Sequence, residues 1–363
     1  MRTELFDYHL PEELIAQRPL ERRGASRLLV VNCETGEISH GRFSDLPRYL
    51  REGDCAVFNR TRVRKARLRG RKADSGGAVE MLLLSHRESG EWEALAKPAR
   101  RLRPGTRVGF GRGELEAEVL EVWEGGRILV RLAPRDAALQ EELVERLGEV
   151  PLPPYIKEGL EDPERYQTVY ARGTGSAAAP TAGLHFEPGT LEELRRMGVT
   201  LAFLRLDVGL DTFRPISSEE LEGHRMHSEM AHVDDTACAA VNAARRRGGR
   251  VLAVGTTVVR ALESAAGEGG LGPFHGYTDL YITPGHRFRA VDFVLTNFHM
   301  PRSSLLVLVS AFAGRELALE AYRKAVEARY RFLSLGDACL FFYPHGWKRP
   351  SGPADRPWEK TSQ

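Results

Sequence analysis

A β-rich stretch that interrupts an α/β pattern is the feature that most constrains how this chain can fold. From Val63 to Gly148, strand-like runs such as VEMLLLS, RVGF and RILVRLA are separated by Gly, Pro and Asp turns, which is typical of a small β-barrel or sandwich. From Pro151 to Tyr343, helix and strand patterns alternate instead, which indicates a sheet covered by helices. The proline-rich segment VPLPPYI separates the two regions.

We therefore predict an α/β main domain with a helix-covered mixed sheet, plus an inserted small all-β (barrel-like) domain. The N-terminal region carries an arginine-rich turn (RPLERRGASR) and a strand from Leu28 to Asn32, and we expect it to rejoin the α/β body. The predicted domains are residues 1–62 and 149–345 for the discontinuous α/β catalytic domain, 63–148 for the insertion and 346–363 for a C-terminal tail.

Charge is nearly balanced overall but is concentrated locally. The 52 basic and 50 acidic residues give a formal net charge of +2, which excludes a protein that coats DNA by bulk positive charge. Arg60 to Lys72 nevertheless contains eight basic residues and no acid, and a strand from Arg67 onward would carry one basic face. Such blocks commonly contact nucleic acid phosphates. A solvated strand face is the alternative, but eight charges without counter-ions would repel one another.

Several classes of protein are not expected from this sequence. The charged N-terminus does not resemble a signal peptide, and the most apolar stretch, Leu305 to Ala313, is too short to span a bilayer. The four cysteines are scattered without a C-x-x-C pair, which indicates reduced thiols in a cytosolic protein. The glycine-rich segments match neither the dinucleotide fingerprint nor the phosphate loop. We expect a cytoplasmic protein that does not bind membranes.

Three segments carry polar residues where a ligand is expected. Gly255-Thr256-Thr257 follows an apolar strand and opens a helix, where N–H groups and hydroxyls can hold an anion, although Thr256 as a plain N-cap is the alternative. GSAAAPTAGLHF surrounds Thr181 and His185 with small residues, which favours either a ligand wall or tight packing. TNFHMP ends a strand with Asn297 and His299, where an open α/β sheet commonly faces its ligand or the loop is merely capped.

The segment HRMHSEMAH places His224, His227, Glu229 and His232 within nine residues. That density suits metal binding or proton transfer, but H-E-x-x-H is absent. A metal site, a metal-free site and surface histidines therefore all stay open. Asp279 lies within a predicted strand, YTDLYIT, where an unpaired carboxylate would be costly to bury, so it is either a site acid or a salt-bridged structural acid.

Together these segments resemble one family, the S-adenosylmethionine:tRNA ribosyltransferase-isomerases of queuosine biosynthesis. The segments that carry the resemblance run in order from Leu5 to Phe342: FDYHLPEELIAQRPLERRGASRLLV, FNRTRVRKARL, LPPYI, GSAAAPTAGLHF, VGLDTFRPI, HRMHSE, VGTTVVRALES, TDLYITPGHRFRAVDFVLTNFHMPRSSLLVLVSAFAG and YRFLSLGDACLF. Any one is weak evidence, but the set is highly specific. Two positions depart from the family's usual residues: Arg60 stands in place of Asp, and Asp211 in place of Gly.

The resemblance implies an α/β domain with an inserted β-barrel, and it implies a reaction. The ribosyl part of S-adenosylmethionine would be transferred and isomerised onto the aminomethyl group of a 7-deazaguanine at the tRNA wobble position. The products would be epoxyqueuosine, adenine and methionine. S-adenosylmethionine would be a co-substrate, with no metal or other cofactor. The partner would be a tRNA anticodon loop, and we expect the protein to be a monomer.

The resemblance and side-chain chemistry also suggest catalytic roles. The sulfonium acidifies the adjacent C5′–H, so a base must lie within hydrogen-bond reach of it. We expect His185 or His227 to be this base, with Asp279 or Glu229 positioning or assisting it.

The expected binding residues form two groups. Those for S-adenosylmethionine are Thr181, Arg214, Thr256, Thr257, Arg260, Asn297 and His299. The threonine pair and Arg260 would hold the methionine carboxylate, whereas Asn297 and His299 would contact the ribose or base. Those for tRNA are Arg62, Arg64, Lys65, Arg67 and Arg69.

Three rival functions stay open from the residues alone. The histidine cluster is compatible with a metal-dependent hydrolase. The basic β-segment is compatible with a non-catalytic RNA-binding protein. A methyltransferase would use the same co-substrate but release S-adenosylhomocysteine.

Overall fold

The computed structural model describes residues 1–87, 90–209, 212 and 215–345. The chain divides into two compact units. The first consists of Met1–Arg62, Pro153–Gly173 and the chain from Ala179 onward, and the second of Val63–Leu152 and Thr174–Ala178. The predicted C-terminal tail, 346–363, lies outside the described residues.

The second unit differs from the predicted insertion, 63–148, in two places. Arg67 and Glu149 exchange backbone hydrogen bonds of 3.1 and 2.8 Å, which keep the chain beyond residue 148 in this unit. The N–H of Arg64 donates to the carbonyl of Ser176 (3.0 Å), within the added segment Thr174–Ala178. Pairings between residues so far apart in sequence leave no local pattern, so the prediction missed them.

A mixed sheet organises the described part of the first unit and confirms the predicted α/β fold class. Its nine strands, in spatial order, are Phe274–Thr278, Glu229–Val233, Thr200–Leu206, Cys55–Asn59, Val251–Val254, Phe293–Asn297, Ala338–Phe342, Arg27–Asn32 and Ile38–Arg42. The third to sixth strands run parallel to one another. Of the other neighbouring pairs, only the seventh and eighth strands are parallel.

Helices alternate with these strands along the chain. The α-helices of the first unit are Pro188–Arg196, Asp235–Arg246, Thr256–Ala265, Ser304–Ala313 and Arg315–Glu327. Its 3-10 helices include Thr3–Phe6, Glu12–Leu14, Arg23–Ala25, Phe43–Tyr49, Pro163–Tyr166, Thr181–His185 and Leu221–Gly223. Side chains start two of the helices, since Asp234 accepts from the N–H of Ala237 and Ser303 from that of Leu306.

The second unit is a closed antiparallel barrel with one α-helix, which confirms the predicted barrel-like fold class. Around the barrel the strands are Arg127–Ala133, Trp92–Lys97, Ala78–His86, Arg67–Lys72, Arg107–Phe110 and Leu115–Val122. The helix Ala137–Leu147 begins after Asp136, whose carboxylate accepts from the N–H of Leu139. Apolar side chains such as Leu68 and Ala117 alternate with polar ones and are buried, as a barrel strand requires.

Shorter elements complete the described structure. They are the strands Arg62–Val63, Thr174–Ser176, Ala266–Gly267 and Gly270–Leu271 and the 3-10 helices Ala99–Arg101 and Glu124–Gly126. Over the part of the chain that the structure describes, no helix combines the length and apolar character needed to cross a membrane.

A buried ion pair joins two central strands at their amino ends. Asp54 precedes the strand Cys55–Asn59, and Arg250 precedes its neighbour Val251–Val254. Arg250 donates to the Asp54 carboxylate from Nη2 (2.6 Å), from Nε (3.2 Å) and from its backbone N–H (2.8 Å). Both residues are almost completely buried, so the pair is shielded from water.

We predict that Asp54→Ala lowers the free energy of unfolding by about 3–5 kcal/mol, because it leaves the Arg250 charge buried without its partner. Urea denaturation followed by circular dichroism measures the loss. Glu320→Ala is the control, since it removes the exposed partner of Arg323 and should cost at most about 1 kcal/mol. Equal losses in the two variants would contradict a structural role for the buried pair.

Candidate functional site

A cavity with about 630 Å³ of empty space, part of it open to solvent, lies where parallel strands of the first unit end. Asn297 is the last residue of its strand, and Gly255 directly follows the neighbouring strand Val251–Val254. Predicted residues in the lining are Thr181, Thr256, Thr257, Asn297 and His299. Lining residues that the sequence interpretation missed include Tyr155, Val208, Thr212, Ser303 and Ser334.

One wall of the cavity is the start of the helix Thr256–Ala265. Gly255 occupies the N-cap position with φ of 97°, a conformation that favours glycine, so Thr256 is the first helical residue and not the cap. The first N–H groups of a helix have no intrahelical acceptor, and no described side chain caps this one. The Thr257 hydroxyl is also buried and has no partner among the described residues. This turn therefore offers donors to an anionic group.

Asn297 is held by a chain of hydrogen bonds that leads away from the cavity. Its Nδ2 lies 3.1 Å from Nε2 of His185, whose Nδ1 lies 2.7 Å from Oγ of Ser26. The Ser26 hydroxyl in turn donates to the carbonyl of Arg23 (3.1 Å), which places the His185 proton on Nδ1. The Asn297 Oδ1 is buried and forms no hydrogen bond to a described residue, so it is available to a ligand donor.

These hydrogen bonds argue against the predicted role of His185 as the base. Both ring nitrogens are engaged, and the ring is buried and stacked on Phe43 with 5.1 Å between centroids. Burial, and next the charges of Arg23 and Arg331, lower the pKa of His185 to about 3. The neutral ring of His185 therefore holds Asn297 through a hydrogen bond.

Glu229 is the centre of a second buried network. Its Oε1 accepts from the N–H of Gly209 (2.9 Å) and the hydroxyl of Thr212 (3.0 Å), and lies 3.3 Å from Nε2 of His227. Its Oε2 pairs with the guanidinium of Arg260. Burial raises the pKa of Glu229, but the hydrogen bond with His227 and the Arg260 charge outweigh it, so the pKa is lowered and the group is a carboxylate.

Arg260 is committed to this network, which corrects its predicted role in holding the methionine carboxylate. It is almost completely buried against Glu229. It also donates to the carbonyls of Thr278 and Leu280, each at 3.1 Å. The sequence interpretation placed Arg260 correctly one turn into the helix but missed its carboxylate partner, 31 residues away along the chain.

His227 keeps the features of a general base. Its Nε2 lies 3.1 Å from Oγ1 of Thr212 and faces the Glu229 carboxylate, which favours a proton on Nε2. Its Nδ1 forms no hydrogen bond to a described residue, and 17% of the side chain is exposed. Thr212 lines the cavity, so it connects the imidazole–carboxylate pair to that space.

The other predicted site residues have different outcomes. His299 lines the cavity with Nε2 2.8 Å from Oγ1 of Thr296, and burial lowers its pKa to about 3. Asp279 is exposed just beyond the strand Phe274–Thr278, so the expectation that it lies within a strand, where burial would demand a partner, is wrong. Arg214 and Asp211 lie outside the described residues.

The side chains of the histidine-rich segment HRMHSEMAH do not come together at one place. Alternation along Glu229–Val233 buries Glu229 but exposes His232, whose ring lies against His275. His224 packs instead against Tyr281. In the described ranges, no group of three or more His, Cys, Asp or Glu side chains is arranged to hold a metal ion.

The predicted tRNA-binding block forms ion pairs with acids that are distant in sequence. The pairs are Arg62–Glu164 (2.5 Å), Arg64–Glu141 (3.2 Å), Lys65–Glu145 (3.1 Å), Arg67–Glu80 (3.7 Å) and Arg69–Glu149 (3.2 Å). The premise that these charges lack counter-ions is therefore wrong. That tRNA binds this face stays a prediction.

The chain matches the family described as "Queuosine biosynthesis protein" over residues 3–341. The S-adenosylmethionine:tRNA ribosyltransferase-isomerase of Moorella thermoacetica is 54% identical over 341 residues, covering 94% of this chain and 99% of that protein. The protein of the same name from Caldanaerobacter subterraneus subsp. tengcongensis is 52% identical with the same coverage. A crystal structure of S-adenosylmethionine tRNA ribosyltransferase from Thermotoga maritima, 37% identical, has a TM-score of 0.54 and covers 93% of this chain and 100% of that chain.

Two buried neutral histidines should make stability depend on pH. The pKa values of His185 and His299 are about 3 in the folded protein because of burial, against about 6.5 in an unfolded chain. The unfolded chain therefore binds more protons between these values. The contribution of these two histidines to the free energy of unfolding is fully present above about pH 6.5. It falls toward pH 3 by up to about 1.4 kcal/mol per pH unit for each histidine.

Urea unfolding between about pH 7.5 and about pH 4.5 measures this slope. We predict that His185→Gln gives a shallower dependence of the free energy of unfolding on pH, because it removes one of these two buried histidines. The exposed His232 supplies the control, because His232→Gln should keep the wild-type slope. Parallel curves for all three proteins would contradict the buried neutral state of His185.

Proposed function

We propose that this chain, which belongs to the queuosine biosynthesis protein family, is an S-adenosylmethionine:tRNA ribosyltransferase-isomerase. It moves the ribosyl part of S-adenosylmethionine to 7-aminomethyl-7-deazaguanine at the tRNA wobble position, gives epoxyqueuosine, and releases adenine and methionine. The observation that carries the proposal is the near full-length identity of 52% and 54% with proteins of that name.

The cavity at the strand ends is the binding site for S-adenosylmethionine. The N–H groups of Thr256 and Thr257 and the Thr257 hydroxyl hold the methionine carboxylate, since the start of a helix favours negative charge. The unpartnered Oδ1 of Asn297 accepts from a ribose hydroxyl or the adenine amino group. Thr181 and His299 complete the contacts to the ribose or base.

His227 is the base of the reaction. The positive sulfonium acidifies the C5′–H of the substrate, and Nδ1 of His227 takes that proton. The imidazolium that forms is stabilised by the Glu229 carboxylate, which Arg260 keeps ionised and in place. Adenine leaves with a proton supplied to its ring, which balances the proton taken from C5′.

The remaining parts of the proposal concern partners and place of action. S-adenosylmethionine is a co-substrate, and the scheme uses no resident cofactor, because the sulfonium already activates the C5′–H. The tRNA is bound through the anticodon loop that carries the precursor base. The protein acts as a monomer in the cytoplasm, where its tRNA substrate occurs.

Incubation of the protein with S-adenosylmethionine and a tRNA that bears the aminomethyl precursor tests the function. We predict free adenine and free methionine in equal amounts, epoxyqueuosine in the tRNA, and no loss of rate after treatment with a metal chelator. S-adenosylhomocysteine as the sole product would establish a methyltransferase instead. Absence of turnover on a tRNA that a relative converts would also refute the proposal.

Replacing His227 tests whether this residue, and not a nearby histidine, is the general base. We predict that His227→Ala lowers kcat by about 10²–10⁴-fold, the usual contribution of a general base, and leaves S-adenosylmethionine affinity close to that of the wild type. His232→Ala is a matched control, because this nearby histidine is exposed and should keep full activity. If His227→Ala retains more than about a tenth of the wild-type turnover, His227 is not the base.

A further inference from the structure

A second cavity, with about 320 Å³ of empty space, part of it open to solvent, is lined in part by His185 in the same unit. Its lining includes Arg23, Arg165 and His185, while Ser334 lines both this cavity and the first one. Arg331 lies close enough for its charge, like that of Arg23, to lower the pKa of His185. We call this cavity, which Arg23 and Arg165 line and near which Arg331 lies, the arginine pocket. The function proposed above does not assign a role to the arginine pocket.

The three guanidinium groups of the arginine pocket are held by backbone carbonyls instead of carboxylates. Arg23 donates to the carbonyl of Leu184 (3.0 Å). Arg165 donates to the carbonyls of Leu20 (2.6 Å) and Glu21 (2.8 Å), and Arg331 to that of Arg18. Within the described residues, none of the three forms an ion pair. Carbonyl contacts fix the direction of each group but do not neutralise its positive charge as an ion pair would.

The nearest acids are engaged elsewhere. Asp162 and Glu164 act on Arg23 through their charge, but Asp162 caps the N–H of Glu164, whose own carboxylate pairs with Arg62. Asp337, near Arg331, pairs with Arg27 and also accepts backbone N–H groups.

Two guanidinium nitrogens of these three arginines lack a hydrogen-bond acceptor among the described residues. Nε of Arg165 and Nη1 of Arg331 are buried and have no partner among the described residues. Burial, and next the charge of Arg165, lower the pKa of Arg23, while burial lowers that of Arg331. Folding has thus brought Arg23 and Arg165 close together although neither forms an ion pair with a described carboxylate, a state that an incoming anion would relieve.

We propose that the arginine pocket binds a phosphodiester group of the tRNA substrate, beside the nucleotide whose base enters the first cavity. Guanidinium forks that are already oriented match the oxygens of a phosphate. Ser334 borders both cavities, so a single nucleotide can place its base in one and its phosphate in the other. The inference rests on the proposed function for the identity of the nucleic acid.

Binding of precursor-bearing tRNA, measured without turnover across a range of salt concentrations, tests this site. Arg165→Gln should raise the Kd about 10- to 100-fold, as for loss of a hydrogen bond to a charged group. It should also reduce the slope of log affinity against log salt by about 0.7–1. Arg48→Gln removes the same charge from an exposed arginine and should change neither quantity.

Three results would overturn the inference. An unchanged tRNA Kd for a folded Arg165→Gln protein is one, and a loss of slope in Arg69→Gln alone, on the barrel strand, is another. Weaker binding of S-adenosylmethionine with unchanged tRNA binding would instead assign the pocket to the methionine carboxylate.

Folding and turnover are judged separately. Circular dichroism and urea unfolding report whether a variant is folded. If Arg165→Gln does not fold, Arg165→Lys decides, because a lysine keeps the charge but loses the fork and should still raise the Kd several-fold; an unchanged Kd would overturn the inference. A wild-type protein that binds tRNA but releases no adenine would refute the proposed function and leave this binding test intact.

Discussion

The parallel alignment of the central strands is the constraint on which the rest of the structure depends. Strands such as Cys55–Asn59 and Val251–Val254 are buried throughout, so their backbone groups can be satisfied only by neighbouring strands. Their carboxyl ends therefore share one edge of the sheet, while Asp54 and Arg250 clamp the opposite end. The turn at Gly255 and the strand end at Asn297 then bring N–H donors, hydroxyls and an amide oxygen to one cavity. Backbone geometry places the site, and side chains determine its chemistry.

Two histidines near this cavity differ because their neighbours differ. His185 is enclosed by apolar side chains and lies near arginines, so protonation is disfavoured and the ring serves as a fixed acceptor for Asn297. His227 faces the carboxylate of Glu229, which orients the ring. Arg260 makes this arrangement possible, because an unpaired buried carboxylate would take up a proton and lose its influence on His227. The environments of the two rings therefore differ, since both nitrogens of His185 are engaged whereas His227 faces a carboxylate.

The sequence predicted what local patterns encode and missed what distant residues decide. Alternating strand-like runs identified the barrel, and the alternation of helices and strands identified the sheet. The strand-end rule led to Asn297 and His299, and helix-start chemistry led to Thr256 and Thr257. The partners of Arg260 and of the basic strand come from remote parts of the chain, so no spacing reveals them. Thr212 and Ser334 also line the cavity, and no local pattern in the sequence marked either residue.

Behind the near-zero net charge, arginines occur in two different local arrangements. On the basic barrel strand, residues such as Arg67 and Arg69 already have carboxylate partners, so a phosphate must displace an acid before it gains an ion pair. Exposed pairs of this kind are worth at most about 1 kcal/mol, so the exchange is feasible but contributes little. In the arginine pocket no ion pair among the described residues has to be broken, and an anion there would relieve the repulsion between Arg23 and Arg165. Uncompensated charge, more than the number of arginines, determines where a phosphate gains most from binding.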